Sequence, residues 1–145
     1  MDKALNTLSL ARKAGLAELG EEPVAAAVRG GHAPLVIVAG DASDHTWRRA
    51  KSLVAGTNQL CLRINYTKDE VGMAIGRTSL AIAAITDPAL ALSLVQALGQ
   101  PEAHKAIIEA LSERVKRQRQ RSSEEKAHQR NKRTGRTKPA AKKNG

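Results

Sequence analysis

The sequence predicts an α/β protein: a three-layer α/β/α sandwich on a four-stranded mixed sheet, plus a C-terminal helix and a basic disordered tail. Three observations predict it. Between residues 16 and 98, short apolar β-branched runs alternate with stretches of helical spacing, the pattern of strands covered by helices. Apolar residues make up 41% of the 145 residues, yet there is one Trp, one Tyr and no Phe, so the core must be Leu, Ile, Val and Ala. Charge is segregated. Residues 1–100 carry ten basic and nine acidic side chains, whereas residues 101–145 carry fourteen and five. One ordinary domain with a cationic extension fits this length and balance.

The elements follow in order. From Asp2 to Ala14, Leu5, Leu8 and Ala11 or Arg12 recur at helical spacing, and Gly15 stops the helix. Leu16 to Leu19 reads as a short first strand. Gly20-Glu21-Glu22-Pro23 opens a short helix, since acids and proline suit its first turn, and Val24 to Arg29 continue it. Gly30-Gly31 closes it. Leu35-Val36-Ile37-Val38-Ala39 is a buried strand by its length and β-branching. After Gly40, Asp41 or Ser43 caps a helix to about Ala55. Leu60 to Ile64 alternates, with Leu60, Leu62 and Ile64 on one face and Cys61 and Arg63 on the other, which predicts a half-exposed strand. Thr67 and Glu70 form a capping box for a short helix ending at Gly76. Leu80 to Ile85 is the last buried strand, and Asp87-Pro88 starts a helix to about Leu98.

The domain boundary is expected near Gly99-Gln100-Pro101, giving a sandwich over 1–99, a basic helix over 100–120 and a disordered basic tail over 121–145. Ala103, Ile107, Ile108, Leu111 and Val115 give the helix its apolar stripe. From Arg114 onward there are thirteen basic and two acidic residues, and the apolar ones are Val115, Ala127, Ala140 and Ala141. Such a stretch buries too little to offset its ordering entropy. Its charge points to a polyanion, most often nucleic acid.

Composition excludes several functions. Two aromatic residues argue against a reader of single strands that stacks bases on an aromatic platform. One cysteine cannot form an internal disulfide or a Cys-based zinc site. No apolar run reaches the roughly 18 residues that span a bilayer, and residues 1–11 do not resemble a signal peptide, so a cytoplasmic location without membrane association is expected. His32, His45, His104 and His128 lack metal-ligand spacing, and neither a nucleophile elbow nor a phosphate-binding P-loop occurs. No cofactor and no catalytic residue are expected. Cys61 reads as a packed thiol, Asp41, Asp44 and Asp87 as helix caps, and Trp47 as a half-buried anchor.

Three strand-to-helix or loop segments suit binding. Gly20 to Pro23 leaves backbone N–H groups free at a helix start, where Glu21 and Glu22 favour base amino groups over phosphate. Gly40-Asp41-Ala42-Ser43 is a second start. Gly76-Arg77-Thr78-Ser79 combines a flexible glycine, a cation and two hydroxyls.

Leu8-Ser9-Leu10-Ala11-Arg12-Lys13-Ala14-Gly15, Gly20-Glu21-Glu22, Leu35 to Ser43 and Gly76-Arg77 resemble, in order and spacing, the kink-turn-binding ribosomal protein superfamily of archaeal seven-Ae and eukaryotic thirty-e type. The bacterial YlxQ-type members look most similar, over about residues 3–95. The resemblance implies an α/β/α sandwich that binds RNA at one end. In the family, the loop into the second helix meets sheared G·A pairs, and the loop before the last strand packs on an extruded nucleotide. Those positions fall on Gly20, Glu21 and Glu22, on Gly40, Asp41 and Ser43, and on Arg77, Thr78 and Ser79. Arg12 and Lys13, within the first matching stretch, complete the candidate RNA-binding set. The family's Gly-x-Asn-Glu-x-x-Lys is altered here: Glu22, Pro23 and Ala26 stand at its Asn, Glu and Lys positions. A different RNA, or weaker binding led by Arg77 and the tail, is therefore expected.

The reading is a non-catalytic, monomeric RNA-binding protein, with ribosomal or other structured RNA, and the ribosome itself, as partners. Two alternatives remain: the RNA-binding part of a methyltransferase system, and a DNA-associated basic protein, for which Lys138-Pro139-Ala140-Ala141-Lys142-Lys143 is the relevant stretch.

Overall fold

A computed structural model of the chain describes residues 2–133. The order is α1 (Lys3–Lys13), β1 (Ala17–Leu19), α2 (Glu21–Arg29), β2 (Leu35–Ala39), α3 (Asp44–Val54), β3 (Leu60–Ile64), α4 (Lys68–Ala74), β4 (Ile82–Ile85), α5 (Pro88–Ala97) and α6 (Lys105–Arg133). The four strands form one sheet in the order β1-β4-β2-β3. Here β4 is antiparallel to β1 and β2, while β3 runs parallel to β2. Hence β1, β2 and β3 all point one way and β4 points back. Helices α1, α4 and α5 pack together, as do α2 and α3. Every residue of β2 and β4 is buried, as a sheet covered on both faces requires. The α/β sandwich with a C-terminal helix is thus the observed architecture.

The core is aliphatic. Leu8, Val24, Leu35, Val36, Val38, Ile85 and Leu94 are among its buried members. Among the described residues, Gln59 is the buried polar exception. Its Oε1 accepts from the Ala33 N–H at 2.9 Å and its Nε2 donates to the Val28 carbonyl at 3.0 Å. The amide therefore supplies partners to two backbone groups that burial would otherwise leave unsatisfied.

Local chemistry sets the helix starts. Asp2 caps α1, Ser43 caps α3, Thr67 and Glu70 form the capping box of α4, and Asp87 caps α5 with Pro88 at its first position. Helix α2 begins at Glu21, within the expected opening, and Pro23 fits its first turn without needing an N–H. One boundary and one burial pattern differ from expectation. Strand β4 begins at Ile82 rather than Leu80, whose N–H is drawn to the Lys68 carbonyl at 2.9 Å. Strand β3 shows no clean alternation: its first four residues are all half-buried and Ile64 is buried.

Two corrections concern the C-terminal side. The compact unit extends to Ser112, not to residue 99, because Leu111 is fully buried and Ile107 and Ile108 pack against the same core. The second unit begins at Glu113. The disorder expected from residue 121 is not observed as far as Arg133, where α6 ends. Between Pro101 and Gly135 there is no glycine or proline, and Arg, Lys, Gln, Glu and Ala dominate; helix propensity thus outweighs the lack of burial. Residues 134–145 of the expected tail lie outside the described residues. Among the described residues, no helix is long and apolar enough to cross a membrane.

Candidate nucleic-acid interface

The strand directions decide which loops meet. The C-terminal ends of β1, β2 and β3 and the N-terminal end of β4 lie at one end of the sheet. That end collects Gly20, the Gly40–Ser43 turn, the Asn65–Thr67 turn and the Gly76–Ala81 loop. Backbone bonds tie them together. The Gly20 N–H donates to the Ile82 carbonyl at 3.0 Å, Ala39 to Ala81 at 2.9 Å and Gly40 to Tyr66 at 2.8 Å. Two glycines permit this closeness. A Cβ on Gly40 would stand 2.8 Å from the Ile64 carbonyl oxygen, and one on Gly72 would stand 2.6 Å from the Ser79 backbone.

Within this end, side chains divide into braces and open groups. Asp41 does not cap α3; its Oδ1 accepts from the Lys68 N–H at 2.7 Å and joins two turns. Ser43 is the cap, its Oγ accepting from the Thr46 N–H at 3.2 Å. Glu21 pairs with Arg49 at 3.4 Å, with both side chains substantially exposed. At such exposure the pair contributes at most about 1 kcal/mol. The open groups are the start of α2, Glu22 and the Arg77–Ser79 stretch. Of α1 to α5, only α2 has no side-chain cap. Gly20 adopts φ 95° and its carbonyl accepts from Val24, so the N–H groups of Glu21 and Glu22 face outward as helix-start donors. Arg77, Thr78 and Ser79 are exposed. The Arg77 guanidinium makes no hydrogen bond or ion pair with the described residues, whereas its own N–H is held by the Gly72 carbonyl at 2.8 Å.

Arg12 and Lys13 stand apart. They end α1, whose chain turns through Gly15 into the N-terminal end of β1, where the Leu16 carbonyl accepts from Thr86 just beyond β4. That is the opposite end of the sheet. The structure therefore brings together nine of the eleven sequence-derived candidates and leaves these two outside.

Sequence reasoning missed Arg63, Asn65, Tyr66 and Lys68. The signal was the parallel pairing of β2 with β3, which sets Ile64 beside Ala39 and so places the following turn against Gly40. Trp47 is half-buried against the core, as expected of an anchor. It also carries two cations, with the Arg63 guanidinium 5.2 Å and the Lys51 ammonium 5.5 Å from the ring centroid. The Arg63 Nη2 donates to the Ala42 carbonyl at 3.5 Å, while its buried Nε has no partner. A buried donor without a partner costs about 1–3 kcal/mol. Burial pushes the Cys61 thiol above its ordinary value, partly offset by Lys51, as suits a packed thiol rather than a nucleophile.

At the first turn of α1, Asp2 is held below the usual carboxylate range by the Tyr66 hydroxyl and by the Ala4 N–H. The Tyr66 phenol is pushed up to about 12, by burial first and then by its bond to Asp2. Tyr66 thus stays a protonated donor and fastens α1 to the loop end. Among the described residues, no group of three or more potential ligands could hold a metal ion.

No family model matches the chain, and no curated protein matches it. Solved structures do. A Bacillus halodurans protein of unknown function is 26% identical, with a TM-score of 0.63, over 68% of this chain and 99% of its own. The 15.5 kD RNA-binding protein of Giardia lamblia is 22% identical, with a TM-score of 0.56, over 70% of this chain and 86% of its own. Both likenesses concern the fold, and each covers about the length of the sandwich.

Proposed function

We propose that this chain is a non-catalytic RNA-binding protein that grips structured RNA with the loop end of its sandwich. The observation that carries the reading is the convergence of Gly20–Glu22, Gly40–Ser43 and Arg77–Ser79 at one end of the sheet. The Giardia protein that shares the fold is itself an RNA-binding protein, and the sequence resemblance to the kink-turn-binding superfamily falls on the same loops. Membership of that superfamily, as a YlxQ-type protein acting as a cytoplasmic monomer on ribosomal or other structured RNA, is the finer form of the proposal.

The chemistry differs from a kink-turn reader. The outward N–H groups at the start of α2 and the carboxylate of Glu22 present donors and an acceptor together. That combination suits base edges opened by irregular pairing better than a run of phosphates. Arg77 supplies a free guanidinium beside them for a phosphate or a base face. The arm supplies the salt-dependent part. Over residues 114–133 it holds nine basic and two acidic residues, and at helical spacing Arg114, Lys116, Arg117, Arg119 and Arg121 spread around the axis. A cation distribution without one preferred face neutralises phosphates but reads no sequence.

Competition binding tests this. A structured RNA with an internal loop should be retained against equal duplex DNA of the same length at near-physiological salt. Equal displacement by DNA would favour the DNA-associated alternative instead.

A further inference from the structure

A cavity of about 270 Å³ opens between the end of β3 and the α5–α6 connection, lined by Arg63, Ile64, Asn65, Tyr66, Leu98, Gln100 and His104. All its walls belong to the first compact unit. Its polar side chains lie outside the Gly20–Glu22, Gly40–Ser43 and Arg77–Ser79 set proposed to meet structured RNA.

Two features mark the cavity. The Arg63 guanidinium is already positioned, by the Trp47 ring on one side and by the Ala42 carbonyl on the other. Its Nε is nevertheless left without a partner, and so is Nδ1 of His104 on the facing wall. Among the described residues, the two buried side-chain polar atoms without partners both belong to side chains that line this one cavity. The amides of Asn65 and Gln100, both exposed residues, stand at its border. No carboxylate lines it. The chemistry missing from this set is an oxygen-rich anion: the guanidinium and imidazole N–H groups and the amide NH₂ groups all donate. The volume lies just under the roughly 300 Å³ at which small-molecule pockets begin. It exceeds what a lone phosphate needs, and Tyr66 and Leu98 offer an apolar wall for a sugar. We propose that this cavity binds the phosphate of a single nucleotide, through Arg63 and His104.

The phosphate can arrive on a free nucleoside monophosphate or on the terminal nucleotide of an RNA strand. The test uses the full chain and follows the Arg63 Nε–H and His104 ring resonances by NMR. The probes are inorganic phosphate, adenosine 5′-monophosphate, adenosine, and a single-stranded tetranucleotide with and without a 5′-phosphate. The expected result is saturable movement of both resonances with phosphate-bearing nucleotides and none with adenosine. Saturation by the free monophosphate assigns the first source; a response to the 5′-phosphorylated strand alone assigns the second. Gln100→Glu, at an exposed position, sets a negative charge at the rim without touching the core, and His104→Ala removes one donor. Each should weaken binding by about tenfold or more, with an unchanged melting temperature. No movement with any phosphate probe at about 10 mM, weaker than any specific site of this kind, would overturn the proposal. So would an equal response to adenosine, or full binding retained by both variants. Binding of structured RNA through Gly20, Gly40 and Arg77 does not depend on these two substitutions, so its survival or loss is read separately.

Discussion

At the loop end of the sandwich, Asp41, Ser43, Thr67 and Glu70 are each fixed by a named hydrogen bond, and Gly40 and Gly72 let backbones touch. Along Glu113–Arg133 the situation is reversed. Arg, Lys, Gln and Glu dominate, the side chains from Lys116 to Gln129 are exposed, and cations spread around the axis. The first region holds a few groups in defined directions, with three acids (Glu21, Glu22 and Asp41) against one cation (Arg77) in its three loop segments. The second holds many charges in no defined direction. In the proposed RNA contact, shape and base recognition are the task of the first, and long-range attraction mainly that of the second.

Removing residues 114–145 should break that division most visibly. If six of its cations engage phosphates, the intact chain loses about a thousandfold in RNA affinity between about 50 and about 200 mM salt. The truncated chain should show a much flatter dependence and an unchanged melting temperature; a retained slope would mean that the sandwich itself is the electrostatic element. The converse experiment is Gln59→Leu, far from the loops. It strips partners from the Ala33 N–H and the Val28 carbonyl, and should cost about 2–4 kcal/mol by urea unfolding, with the helical signal of residues 113–133 preserved.

Arg77→Ala sharpens the comparison from the other side. Removing an unpaired exposed guanidinium should lower structured-RNA affinity about tenfold, the loss of one charge-assisted contact. Filter binding would show it, with circular dichroism unchanged. Arg12→Ala, at the opposite end of the sheet, should do much less. The smallest effect concerns the Asp2–Tyr66 contact. Asp2 is lowered in the fold from its ordinary value near 3.8. Its stabilisation is therefore complete above that value and is lost as pH falls through the lowered one. Tyr66 is raised from 10.0 to about 12, so its contribution is complete below the former and lost as pH rises through the latter. Melting profiles of Tyr66→Phe should lose the alkaline limb and shrink the acid one, where the Ala4 N–H still holds Asp2.

The strands and caps were legible because their signals are local: β-branched runs for β2 and β4, and Ser43, Thr67 and Asp87 at helix starts. What escaped was pairing. Arg63 reads in sequence as an outward residue of an alternating strand; only the parallel register of β3 on β2 sets it between Trp47 and the Ala42 carbonyl. Asp41 and Ser43 were both plausible caps, and the choice fell to Ser43 because Asp41 finds a partner 27 residues away. Arg12 and Lys13 adjoin the other candidates in a sequence pattern, yet the length of α1 carries them to the far end. Residues 121–133 bury little, which suggests disorder, yet they hold no glycine or proline and form helix.

The central claim is that one end of the sandwich meets folded RNA. Backbone NMR shift mapping of the full chain with a structured RNA containing an irregular internal loop tests it most directly. The account predicts that the strongest changes within the sandwich fall on Gly20–Glu22, Gly40–Ser43 and Arg77–Ser79, with Arg12 and Lys13 unmoved. Changes confined to α6, or centred on the Arg12–Lys13 end, would contradict it.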